Sequence, residues 1–383
     1  DTLTTLQVSF NGRTTSANNN LGGSVAVTPT WTLVSVEATV AYNDTGLYFI
    51  LGNNNSIGPA TAGTFEAYGA HMFRSDLGGM VNNPDTSDSC VPTTSAPVYL
   101  SRRGHHIYNG SAWVNEGILH ESEARTNLLL NSGTLATQSV TVAAVATTLS
   151  FTGTGTVTLS GVSTAGPLVG TGTGENNRVN LTFTPTAGTL TLTVSGTVTN
   201  AQLEAGATPS SYIPTTTATA TRAAETLTVP AANLPYNSTN MSIQMDGKMT
   251  YADTGVVGEV QQYRWQLDST NYILSYLRTT GSRTGQPVFS QREFISGYHE
   301  VSGGDNTYSA GTNVPFNGAS RHGSTFVNGA HEGTLLTAST TPTILPALSS
   351  TDLQLGYLFM GTIGQFRMWD EDITDAGITE AST

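Results

Sequence analysis

The sequence has almost no lysine: of 14 basic residues only Lys248 is one, and charged residues of both signs make up 11% of the chain. Edge strands therefore lack the lysines that usually block edge-to-edge pairing, and closure by neighbouring modules or by oligomerisation is expected in their place. The formal net charge of −13 argues against a phosphate-tracking surface, which needs clustered Lys and Arg, so no nucleic-acid partner is expected. Cysteine is as scarce. The single Cys90 excludes an internal disulfide framework and a Cys-rich zinc site, and reads as a small residue in a connector. No run approaches the ~18 apolar residues of a membrane span, and the first residues lack the basic and apolar regions of a signal peptide, so no membrane insertion is expected. No Gly-x-Ser-x-Gly elbow, Walker loop, Gly-x-Gly-x-x-Gly or His-Glu-x-x-His occurs, which removes the commonest reaction classes.

What is abundant is glycine, at 41 residues, together with threonine and serine. That mixture favours short strands and tight turns, and the expected fold class is all-β, built of tandem antiparallel β-sandwiches. At 383 residues the chain exceeds what one hydrophobic core usually serves, so two or three domains are expected. The clearest is the stretch 123–222. In it Val179, Leu181 and Phe183 alternate with polar residues, as do Leu190, Leu192 and Val194, which is the period of half-buried strands; Pro185-Thr-Ala-Gly188 turns one run into the next.

Residues 1–85 read as the back part of a similar sandwich, with strands over Trp31–Val36 and Leu47–Leu51 and a close at Tyr68–Phe73. Placing Gly69–Met72 over Asn200–Leu203 makes the two stretches divergent copies about 131 residues apart. The half-module leads to the expectation that an anchoring part precedes Asp1. Residues 86–122 read as a linker and a hairpin, the latter turning at Asn109-Gly110. Residues 223–383 form the last domain, with strands over Ile243–Tyr251, Tyr263–Leu267, Tyr272–Leu277, Leu353–Leu355 and Gly361–Trp369. A turn is expected at Asn328-Gly329, and a short helix over Ile373–Thr379 with Thr374 as its N-cap.

The order Val327-Asn-Gly329, Leu353-Gln-Leu-Gly356, Gly361-Thr-Ile363 with Arg367-Met-Trp369, and Ile373–Ile378 resembles the close of concanavalin A-like, laminin-G-like jelly rolls. The stretches Glu121–Leu129 and Ala201–Thr215 are similar to the opening and close of carbohydrate-binding-like sandwich modules in bacteriophage virion proteins. Together these resemblances imply a fibre, spike or tail-tip subunit on the exterior of a phage or phage-like particle. They further imply host cell-surface polysaccharide and other virion proteins as partners, and a homo-oligomer, a trimer above other orders. The first copy departs from the pattern, having no Tyr-Ile-Pro-Thr after its close, which puts any ligand site there in doubt.

The candidate glycan site is Tyr298, His299 and Glu300, Asp305, Asn306 and Tyr308, then Asn313, Arg321 and His322. Sugars rest CH groups on aromatic rings and bond their hydroxyls to amides, carboxylates and arginine. No cofactor is expected. Asp253, Glu300 and Asp305 offer calcium oxygens but match no compact loop. His105, His106 and His120 offer imidazoles, but adjacent residues of a strand point to opposite faces. Asp370-Glu-Asp372 reads as a solvated turn, and no paired-carboxylate run of a glycosidase occurs, so no catalytic residue is expected. A non-enzymatic attachment subunit is the leading reading; a purely structural or decoration protein and a polysaccharide depolymerase stand as alternatives.

Overall fold

The structure, a computed structural model, describes residues 5–12, 21–26, 47–52, 102–108, 113–253 and 258–383. The chain divides into two units, Asp1–Leu100 and Ser101–Thr383. In the first, β1 (Thr5–Gly12) lies between β2 (Leu21–Ala26) and β3 (Leu47–Gly52) in a three-stranded antiparallel sheet. β3 is the strand expected over Leu47–Leu51. The strand expected over Trp31–Val36, the close at Tyr68–Phe73, the connector with Cys90 and the Asn109-Gly110 turn lie outside the described residues.

The second unit opens with the antiparallel pair β4 (Arg102–Tyr108) and β5 (Trp113–Glu121). The central sandwich follows, as β6 (Arg125–Asn127), β7 (Gln138–Val142), β8 (Thr147–Gly153), β9 (Thr156–Gly161), β10 (Leu168–Val169), β11 (Val179–Phe183), β12 (Gly188–Ser195), β13 (Val198–Ala205) and β14 (Ala220–Arg222). A sheet in the order β10-β9-β12-β7 packs on one in the order β11-β8-β13. The alternating apolar residues of β11 and β12 all turn into the core between them, beside Leu149, Phe151 and Leu203.

The opening and closing stretches of this sandwich are clasped by buried polar side chains. The Asn127 amide donates to the carbonyls of Ala201 and Ile213, each at 2.9 Å, and its oxygen accepts the N–H groups of Leu129 and Leu203. Glu204 accepts the N–H and hydroxyl of Ser210, at 2.8 and 2.6 Å, while the Gln202 amide bridges Glu204, Ser210 and Ile213. Buried polar groups persist only when satisfied in this way. The motif residues therefore hold the module shut.

The last domain comprises β15 (Leu227–Val229), β16 (Asn240–Tyr251), β17 (Glu259–Asp268), β18 (Asn271–Arg278), β19 (Gln286–Glu293), β20 (Gly297–Ser302), β21 (Gly311–Gly323), β22 (Val327–His331), β23 (Thr334–Leu335), β24 (Leu353–Tyr357), β25 (Met360–Trp369) and the helix α1 (Thr374–Ala381). It is a jelly roll. A six-stranded sheet, β15-β24-β17-β18-β19-β20, faces a seven-stranded sheet, β23-β22-β21-β16-β25-β5-β4. Met241, Ile243 and Met245 of β16 meet Tyr263, Trp265, Ile273 and Leu277 of the opposing sheet in the core. The seven-stranded sheet takes in β4 and β5, which precede the central sandwich; Ile118 pairs with Ile363. A start at residue 223 leaves those two strands out.

Two local expectations are corrected. Asn328 and Gly329 do not turn the chain but lie buried within β22, opposite Arg321 and Ser320. Glycine is needed there because a Cβ would run into the Phe289 ring. Thr374 is not the helix cap: it is the first residue of α1, and its N–H is accepted by Asp372 at 2.9 Å.

Candidate functional site

On β18, β19 and β20 every second side chain points away from the core, and the register aligns these side chains in rows across the sheet. Gln266, Tyr272, Arg292 and Tyr298 form one row, Arg264, Leu274, Ser290 and Glu300 the next, and Gln261, Tyr276, Val288 and Ser302 the third. Tyr357, paired with Gln261, extends the third row, and the Arg264 guanidinium lies 4.6 Å from its ring centre. The result is a platform of aromatic rings, guanidinium groups and amides on a rigid sheet.

At its edge the polar groups converge on Glu300. Its carboxylate accepts the Tyr298 hydroxyl, the Tyr276 hydroxyl at 3.4 Å and the Arg278 guanidinium at 2.8 and 3.0 Å. Arg278 also donates to Gln286, whose amide reaches Asp305 and the Gly303 carbonyl, each at 3.0 Å. Burial pushes the Glu300 carboxyl up, but the hydrogen bonds from Tyr298 and Arg278 outweigh it and hold it below the usual range. Burial raises both tyrosines, and for Tyr298 the bond to Glu300 adds to it. The carboxylate stays charged and the phenols keep their protons. Such a cluster presents acceptors and donors but holds no group poised to give up or take a proton near neutrality.

Tyr298 is 45% exposed, and beside it, at the tip between β19 and β20, Phe294 and Ile295 are 74% and 76% exposed. Between Leu274 and Glu300 the Ser290 side chain is buried, and its hydroxyl has no hydrogen-bond partner. The platform thus combines an open ring face with polar groups fixed beside it.

Of the nine sequence-predicted residues, the structure joins Tyr298 to Glu300 directly and links Glu300 to Asp305 through Arg278 and Gln286. His299 faces the other way, bonded to Thr341 and Ser296. Asn306 bonds through its N–H to the Thr284 carbonyl in a turn, with φ +56. Tyr308 is buried in the core, and its hydroxyl donates to Glu332 at 3.1 Å. Asn313 and Arg321 belong to the other sheet. Arg321 clips α1 to it by bonding Asp375 at 2.6 Å and Asp372 at 2.7 Å, so Asp372 is not a solvated turn residue. His322 is sealed between the sheets, bonded to Ser320 and Gln291, and burial pushes its imidazole down to about 3. No glycan reaches it there.

Tyr276, Arg278 and Gln286 were not among the predicted residues. Their signal is the alternation Tyr272, Leu274, Tyr276, Arg278 along one strand, which places bulky polar groups on a single face. Neither calcium nor the histidines gain a setting: among the described residues no three His, Cys, Asp or Glu side chains are grouped to hold a metal, and His120 is buried on the Gly356 carbonyl.

No family model and no curated protein matches the chain. Among solved structures, the carbohydrate-binding module CBM40 of the Ruminococcus gnavus IT-sialidase, bound to alpha2,3 sialyllactose, is similar at 11% identity over 38% of this chain and 84% of that one, with a TM-score of 0.30. The binding domain of botulinum neurotoxin serotype D is similar at 13% identity over 39% and 37% of the two chains, with a TM-score of 0.31. NanB in its structure with Optactamide is similar at 16% identity over 41% and 26%, also with a TM-score of 0.31.

Proposed function

We propose that this chain binds a glycan on the outer face of the six-stranded sheet, around Tyr298, and that it does so as a fibre or spike subunit attaching a virion to a host cell-surface polysaccharide. One observation carries the glycan reading: an exposed tyrosine ring stands beside a fixed carboxylate, a guanidinium and an amide on one face of the sheet. A pyranose offers CH groups for the ring and hydroxyls for the planar polar groups. The virion part, with its homotrimer and its particle partners, is supported by the likeness of Glu121–Leu129 and Ala201–Thr215 to phage modules. Binding without cleavage is the reading in keeping with a cluster in which Glu300 is held by Arg278 and Tyr298 and the second carboxylate, Asp305, is tied to the Gln286 amide, because glycosidases set two carboxyl groups about one sugar, one of them as a proton donor.

A glycan array probed with the whole chain tests this. The wild type is expected to retain a defined set of surface polysaccharides, and Tyr298→Ala to lose about tenfold in affinity for them, with an unchanged melting temperature. Absence of any bound glycan, or equal binding by Tyr298→Ala, overturns the platform. Exposed Phe294 and Ile295 favour a second reading, in which this end of the sheet packs on another particle protein. A map of the particle with the tip buried in a protein contact would select it.

A further inference from the structure

The outer face of the seven-stranded sheet carries a cleft of about 540 Å³, on the opposite side of the jelly roll from the tyrosine platform. That volume lies within the ~300–1,000 Å³ of small-molecule sites. Lys248, the chain's one lysine, is ion-paired there with Glu116. Glu116 precedes an irregularity in β5 at Gly117, which has φ +87 and where a Cβ would collide with the Ile363 carbonyl.

Two further carboxylates line the cleft, and neither has a cationic partner among the described residues. Asp246 accepts the Gln365 N–H at 3.0 Å and the Gln244 amide at 3.1 Å. Glu332 accepts the Asn317 N–H at 2.7 Å and the Tyr308 hydroxyl at 3.1 Å through one oxygen, leaving the other open. All four donors are neutral, so three carboxylates face one ammonium.

A separate feature points to a ligand. Thr362 lines the cleft directly opposite Lys248, is only 3% exposed, and its hydroxyl makes no hydrogen bond. Burying a hydroxyl without a partner is destabilising, and a ligand that supplies one removes that penalty. On the other flank of Lys248, the exposed ring of Pro315 adds an apolar wall.

We infer that this cleft is a second ligand site, selective for an amino sugar with a free, protonated amine. The ammonium group meets Asp246 and Glu332, ring hydroxyls meet Thr362 and Asn317, and the CH face of the pyranose rests on Pro315. N-acetylation removes the charge and enlarges the substituent, so an acetylated sugar is disfavoured. The inference does not depend on the platform around Tyr298.

Lys248 supplies its own probe. Reductive ¹³C-methylation of the whole chain keeps the lysine charge and places a single side-chain NMR signal in the cleft. Glucosamine is expected to shift that signal saturably, and N-acetylglucosamine to bind about tenfold more weakly, the scale of one charge-assisted contact. Calorimetry on unmethylated protein should give the same order, with Asp246→Asn about tenfold weaker, Thr362→Val a few-fold weaker and Tyr298→Ala unchanged. Glu332→Gln serves as the second test should Asp246→Asn fail to fold. A Lys248 signal indifferent to glucosamine, equal affinity for both sugars, or undiminished binding by folded Asp246→Asn and Glu332→Gln overturns the site.

Discussion

The carboxylate of Glu121 accepts both the backbone N–H and the hydroxyl of Ser211, at 2.7 and 2.5 Å. Glu121 ends β5 of the jelly roll, and Ser211 lies in the closing stretch of the central sandwich, so this one group joins the two folds. Arg102 and Arg222 bind the same carboxylate at 2.7 and 2.6 Å, and Arg102 also reaches Glu225 at 2.8 Å. Burial pushes the Glu121 carboxyl up, yet Arg222, Arg102 and Ser211 together outweigh it and hold it below the ordinary 4.5.

Replacing Glu121 with Gln should loosen this joint. Arg222 loses its paired carboxylate and Arg102 is left with Glu225 alone, and a cost of about 2–4 kcal/mol is expected, less than for a fully buried pair because Arg102 is partly exposed. Because the folded-state value is depressed, the stabilisation is complete above about 4.5 and fades as pH falls through the folded value. Melting curves between neutral and acid pH should show a steeper acid limb for the wild type than for Glu121→Gln. Parallel curves would contradict the assignment.

His322 should make the jelly roll acid-sensitive over a higher range. Its folded value of about 3 lies below the ordinary 6.5, so the unfolded chain takes the proton first. Stability is full above 6.5 and falls toward 3, at up to about 1.4 kcal/mol per pH unit. Urea denaturation of His322→Asn is expected to be weaker at neutral pH yet flatter across this range, and an unchanged slope would count against a neutral buried imidazole.

Gly206 closes the Ala-Gln-Leu-Glu-Ala-Gly run with φ +141, and a Cβ there would fall on the Arg125 guanidinium. Arg125 is buried, donates to the Ala205 carbonyl and pairs with Glu123 at 2.7 Å. Gly206→Ala should therefore displace Arg125 and cost about 2 kcal/mol or more, while Ala207→Ser at the next residue should be nearly neutral. Calorimetric melting of the two variants checks the contrast.

Arg321→Ala should free α1 while leaving the sheets intact. The guanidinium holds Asp375 on the helix and Asp372 just before it, so truncation removes two ion pairs at once, besides a contact 4.1 Å from the Phe326 ring centre. Limited proteolysis is expected to cut first near Asp370–Thr374 in the variant, and an unaltered cleavage pattern would show that Ile378 packing and the Asn328–Asp375 hydrogen bond retain the helix without Arg321.

The strands of the jelly roll were legible where apolar residues alternate, as in Tyr263 and Trp265, or Ile273 and Leu277, because burial on one face leaves that mark. β21 was not legible. Gly311–Gly323 is rich in Gly and Asn, contains a proline and reads as loop, yet it pairs along most of its length with β16. Its inward polar residues are satisfied within the core, Ser320 by the Tyr263 hydroxyl and His322 by Gln291. This is why His322 and Arg321 looked like surface ligands. The pairing of Tyr298 with Glu300 was legible because the two stand two residues apart on one strand, whereas Tyr276 and Arg278 join them only through a register that no single strand records.

Arg125 stands directly opposite Arg222 in the short ribbon of β6 and β14, so the sandwich leaves and re-enters the jelly roll through neighbouring strands. It is a cassette interrupting a host fold between β5 and β15. Recombination at two adjacent points could exchange it for another cassette without breaking a jelly-roll strand, provided the newcomer offers a serine where Ser211 meets Glu121. Removal of the cassette is equally conservative in principle, with a short linker bridging residues 122 and 225. A fragment beginning at residue 223 is different, since it strips β5 from β25 and leaves an open edge ready to pair with another chain.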